Sequence, residues 1–167
     1  MNKLLLSNIA RFIILVLVQV ILLSNINFLG YINPYLYMLF VLLLPFNLNQ
    51  MAVLFLSFLI GITIDAFQDT GGIHAAACLV IAYIRPLILK FSFGVSYEHE
   101  TIKFYRTPIS QRIGYIFILV FCHHLVLFSL EVFNFSYFML VLQKTLYSGI
   151  FTVLLILLVT AFFQKKK

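Results

Sequence analysis

The chain has 167 residues, enough for one domain, of which 63% are hydrophobic and only 10% charged. An average soluble domain is roughly 45–50% apolar and about 25% charged, and a globule this small has too much surface to hide the excess. With a mean hydropathy of +1.11, the composition excludes a soluble enzyme, a secreted disulfide scaffold, a disordered tail and a nucleic-acid-binding domain. The net charge of +6 is scattered between apolar runs, not gathered into a patch that follows a phosphate backbone, so no nucleic-acid partner is expected. The lipid bilayer is the expected surrounding.

A spanning helix needs about 20 mainly apolar residues, and six segments qualify or nearly qualify. The first, 7–24, carries Arg11 near its start and Gln19 inside; no small-residue cleavage site follows it, so it reads as a retained span. The second, 34–46, is short and bounded by Pro34 and Pro45. The third is 50–67. The fourth, 72–90, opens after Gly71–Gly72 and contains Arg85–Pro86. The fifth is 112–132 and the sixth, 137–163, is long enough to tilt. The runs are apolar all round, as in 12–17 and 153–159, without the two-residue alternation of a membrane barrel. The expectation is therefore a single all-α integral membrane domain, 1–167, of six transmembrane helices. The alternative is four spans plus a re-entrant hairpin made of the second and third segments.

Charge fixes an orientation. With the N-terminus inside, six crossings place Lys3, Arg11, Arg85, Lys90, Lys103, Arg106, Arg112 and the tail Lys165–Lys167 on the cytoplasmic side: ten of the eleven basic side chains. Asp65, Asp69, Glu131 and Lys144 fall at the outer ends. This is the positive-inside pattern of a multi-pass protein with both termini cytoplasmic. The cytoplasmic loop 91–111 holds Tyr97–Glu98–His99–Glu100 and Arg106-x-Pro108, a solvated surface suited to docking.

Few polar residues interrupt the spans. Asp65, Asp69 and His74 fall close together where the third segment meets the fourth. Two carboxylates one turn apart with a histidine can bind a cation or a partner. The weightier reading is structural: Asp69 or Thr70 caps the helix that opens at Gly71–Gly72, and Asp65 or Glu131 pairs with Lys144 at similar depth. His123 and His124 lie mid-span about 100° apart on the helix, so they are expected to make helix-packing hydrogen bonds rather than share one metal. Ser57-x-x-x-Gly61 and Ala75–Ala77 allow close helix approach. Tyr31, Tyr35, Tyr37 and Tyr137 fit an outer interfacial belt, and Tyr97, Tyr105 and Tyr115 an inner one. Cys78 and Cys122 read as small core residues. There is no phosphate-binding glycine loop, zinc helix or nucleophile elbow.

Several of these stretches together resemble a known family. Asn33-Pro34-Tyr35, Leu44-Pro45, Gly61-Ile-Thr-Ile-Asp65, Thr70-Gly-Gly-Ile-His74-Ala-Ala-Ala77 and Tyr83-Ile-Arg85-Pro86 are similar to the rod shape-determining membrane protein MreD, in its Bacteroidota-like form; Asp69 stands where that family commonly has glycine. The resemblance implies a non-enzymatic scaffold of the bacterial cell-elongation complex in the cytoplasmic membrane, without cofactor or metal. Its implied partners are MreC, the actin-like MreB, the RodA glycosyltransferase and its class B penicillin-binding protein. Asp65, Asp69, His74, Arg85 and Lys144 are then the candidate partner-binding or structural polar residues. The family also resembles, in fold, the substrate-binding subunits of energy-coupling-factor vitamin transporters, which gives an alternative function: a vitamin-binding membrane component.

Overall fold

The computed structural model describes residues 3–24, 26, 32–94, 104 and 107–162, and all regular structure in them is helical. Helix α1 (Lys3–Leu17) continues into a π-helical stretch, Val18–Leu23. A 3-10 turn (Leu36–Met38) and the one-turn α2 (Leu39–Leu42) follow. The long helices are α3 (Gln50–Gln68), α4 (Ile73–Phe93), α5 (Ile109–Val132) and α6 (Phe138–Phe162). Five helical stretches are long and apolar enough to cross a membrane: Leu6–Leu23, α3, α4, α5 and α6. These make the protein compatible with a multi-pass membrane protein, with α3 against α4, α4 against α5 and α5 against α6.

The sequence points to six spanning helices, and the second segment is where the structure differs. In place of a helix over 34–46 there is an extended stretch at 33–35 and then little more than two helical turns. Pro34 has no N–H to give a helix, and Pro45 closes the other side. The segment is interior, not lipid-facing: Tyr37, Met38, Val41 and Leu42 are completely buried. The third segment, α3, is by itself long and apolar enough to cross.

The segment's start lies beside Gln19 of the π-helical stretch, and its end lies beside Arg11 of α1, a rise of about 12 Å along that continuous helix. It is antiparallel to α1 and returns the chain to the end from which α3 sets out.

Local chemistry explains the other boundaries. The Asn49 side chain accepts from Met51 N at 2.9 Å and starts α3. Asp69 ends it in the left-handed region, φ 53°, and Gly71 and Gly72, at φ 64° and 97°, carry the chain round to α4. Within α4, Pro86 has no N–H for the carbonyl of Ala82. Gln50 of α3 donates to that carbonyl instead, at 3.0 Å, so the proline leaves no bare acceptor at membrane depth. Helices α3 and α4 touch backbone to backbone. A Cβ on Gly61 would lie 2.7 Å from Ala75 N and 2.8 Å from His74 O, so the Ser57–Gly61 and Ala75–Ala77 faces are the contact surface of this pair. Cys78 and Cys122 are both free thiols.

Candidate functional site: a clamped break in the bundle core

A short helix inside a membrane protein has a problem at each end. Its first N–H and last C=O groups lack helical partners, and hydrocarbon offers none. Here side chains from the surrounding helices supply both sets. At the start, Asn33 N donates to Ser148 Oγ at 3.2 Å and Tyr35 N to Thr152 Oγ1 at 3.1 Å, both hydroxyls from α6. Gln19 Oε1 accepts from Leu36 N at 2.8 Å and Tyr37 N at 3.3 Å, while its Nε2 donates to Pro34 O at 3.1 Å. Pro34, with no N–H, needs no acceptor. At the far end, Leu42 O accepts from Tyr115 Oη at 3.2 Å, Leu43 O from Arg11 at 3.4 Å, and Leu44 O from Arg85 Nη2.

Arg85 is therefore a buried side chain that stitches α4 to the break. Its Nε donates to Tyr115 Oη at 3.0 Å, and its guanidinium lies 5.6 Å from the Phe46 ring centroid. Arg112 packs over Phe104 nearby. Arg11, Arg85 and Arg112 thus gather at one end of the bundle, although Arg85 and Arg112 are buried and not the solvated loop flanks that a charge count implies. Tyr35, Tyr37 and Tyr115 are likewise core residues rather than belt residues; Tyr137, at 57% exposure, stays on the surface. Tyr31, Tyr97, Tyr105, Lys103, Arg106, most of the loop 91–111 and the lysine tail lie outside the described residues.

The opposite end is organised by Asp65. Its carboxylate accepts from His74 N at 3.1 Å, Ala75 N at 2.8 Å, Thr70 Oγ1 at 2.5 Å and His74 Nδ1 at 3.0 Å. The N-cap of α4 is Gly72, which has no side chain to offer. Asp65 caps the helix from its neighbour instead, with the carboxylate at the positive end of the α4 dipole. Neither Asp69 nor Thr70 caps α4, as the turn sequence had implied; Thr70 bonds to the capping carboxylate, and Asp69 is the exposed left-handed residue that ends α3. Asp65 and His74 are thus brought together and Asp69 is not. Among the described residues no group of three or more histidine, cysteine or acidic side chains is placed to hold a metal ion. Lys144 pairs with Glu131 at 2.9 Å, not with Asp65, and its ammonium lies 5.5 Å from the Phe128 ring.

Between the two ends runs a column of buried polar rings. Tyr37 Oη and His123 Nε2 are 2.8 Å apart. His124 lies 3.1 Å from Thr152 Oγ1 through Nε2 and 2.8 Å from Val120 O through Nδ1. The two histidines bond to different partners, as the angle between them requires.

Gln19, Ser148 and Thr152, which hold the start of the break, are not among the candidate residues that the sequence singles out. Their signal was available: each is a polar side chain in an apolar run, where burial demands a partner. No protein-family model, curated protein or solved structure matches the chain.

Proposed function

We propose that the protein is a non-enzymatic scaffold of the bacterial cytoplasmic membrane, with both termini inside, that binds the transmembrane helices of partner proteins in the cell-elongation complex. The observation that carries the reading is how the interior polar groups are used. Gln19, Asp65, Arg85, Tyr115, Ser148 and Thr152 hold helix ends and the broken segment. Outward, α1, α3 and α6 present large apolar side chains, among them Ile14, Phe55 and Leu154, which in a bilayer meet lipid or another helix. The stretches that resemble MreD contain Gly61, Asp65, His74 and Arg85, which here fasten α3, α4 and the break to one another. MreC, MreB, RodA and the class B penicillin-binding protein are the partners this reading implies.

A broken helix at membrane depth is also how many transporters bind ligands, through unsatisfied half-helix ends. In this chain those ends are occupied by Gln19 and Arg85, which favours the scaffold over the vitamin-binding alternative. The discriminating experiment is purification of the tagged protein in a mild detergent, with mass spectrometry of what accompanies it. The scaffold reading expects membrane proteins of the elongation machinery, and rounded cells on depletion. Recovery of a vitamin-like small molecule, with cell shape unchanged on depletion, would replace it.

A further inference from the structure

His74 and His123 stand on different helices, yet both pack around the same two tyrosines of the broken segment. The Tyr35 ring centroid is 5.7 Å from His74 and 6.4 Å from His123; Tyr37 is 5.6 Å and 5.5 Å from them. Each histidine has one nitrogen engaged and one that is buried without a hydrogen-bond partner among the described residues: Nε2 of His74 and Nδ1 of His123. His124, beside them, has both of its nitrogens bonded.

A water molecule can serve both orphans. The Asp65 carboxylate can only accept, so His74 Nδ1 carries the proton and a neutral ring leaves Nε2 as a bare acceptor. His123 Nε2 shares its hydrogen bond with Tyr37 Oη; its Nδ1 is a bare donor where Tyr37 donates and a bare acceptor where Tyr37 accepts, and a water molecule, which can do both, serves either. Leaving a buried polar group without a partner is costly, so two such nitrogens on rings packed against the same pair of tyrosines call for a hydrogen-bond partner. Buried water commonly satisfies such groups, taking two to four polar partners.

We infer that the side chains of Tyr35 and Tyr37, His74 and His123 frame an internal site for water that links His123 Nδ1 to His74 Nε2. Filled, the site joins two separate networks. Asp65, Thr70 and His74 become continuous with His123 and Tyr37, and α3 and α4 are connected to α5 through the break. The titratable groups facing it are Asp65 from α3, His74 and Cys78 from α4, Tyr35 and Tyr37 from the broken segment, and His123 and His124 from α5.

The test uses the full chain, labelled with ¹⁵N-histidine and reconstituted in lipid bilayers, in water-edited solid-state NMR. Signals are assigned by the loss of each in the His74→Phe, His123→Phe and His124→Phe variants. The inference expects magnetisation from water protons to reach His74 Nε2 and His123 Nδ1, and not the nitrogens of His124. Absence of transfer at either of the first two, or equal transfer at all three histidines, overturns it. Where a phenylalanine variant fails to fold, the polar substitution at the same position (His74→Gln, His123→Gln or His124→Gln) assigns that signal, and the decisive spectrum is that of the unsubstituted protein.

Discussion

Gln19 makes three hydrogen bonds to the backbone of the broken segment from one neutral side chain. No charge is buried to do so, which keeps the desolvation cost low. Replacing it with methionine preserves length and volume but orphans two N–H groups and one carbonyl, at about 1–3 kcal/mol each. Gln19→Met should therefore lower the thermal unfolding midpoint in detergent clearly, and an unchanged midpoint would mean that the segment is held by packing alone. Asp65 tests charge separately from shape. Asp65→Asn keeps one acceptor oxygen but gives up the carboxylate that serves two N–H groups, a hydroxyl and an imidazole. Charge-assisted hydrogen bonds are worth about 1.5–3 kcal/mol, so a loss of that order in unfolding free energy is expected, and a variant as stable as the parent would contradict the capping role. The residue types for this site were legible, since an acid and a histidine stand near one helix junction. Which acid caps was not: Asp69 and Thr70 are nearer in sequence, and Asp65 reaches α4 only because the chain turns through two left-handed glycines.

At the scale of elements, the long helices lie on the long apolar runs, with α4 and α5 each reaching three residues further into the loop between them than expected. Those helices are uniformly apolar, and a bilayer rewards that composition directly. The second segment is as apolar as the others and was read as a span for the same reason. Hydropathy reports that a stretch leaves water; it does not report whether lipid or protein receives it. The contrary signals were its short length, Pro34 and Pro45, and the polar Gln19, Ser148 and Thr152 elsewhere in the chain. The α3–α4 pair was more legible, because Ser57-x-x-x-Gly61 and three consecutive alanines name a close contact. Gly61→Val tests it: the obstructing atoms are backbone, so the helices must separate. Overpacking typically costs about 1–3 kcal/mol, and α3 must also release its hold on the α4 N-terminus. The expected outcome is a lower unfolding midpoint for Gly61→Val, while Gly114→Ala, where an added Cβ meets nothing within 4 Å, leaves it unchanged. Equal midpoints for the two would refute the contact.

For the whole molecule, the break decides the topology. Five long helices alone would place the start of α1 and the end of α6 on opposite faces. The broken segment runs antiparallel to α1, from Gln19 back to Arg11, and in the proposed topology it is the sixth crossing, made without a sixth lipid-facing helix. On that proposal the basic side chains share one side, the arrangement that the charge distribution along the chain suggests. The direct test introduces single cysteines, in a background lacking Cys78 and Cys122, at the exposed positions Ser7 and Asn47, and labels intact cells with a membrane-impermeant thiol reagent. Ser7→Cys and Asn47→Cys should both be protected in intact cells and both react once the membrane is opened, with Asp69→Cys labelled throughout as the outer reference. Reaction of Ser7→Cys and Asn47→Cys from opposite faces would show that the broken segment does not cross, and the account of the bundle would fail with it.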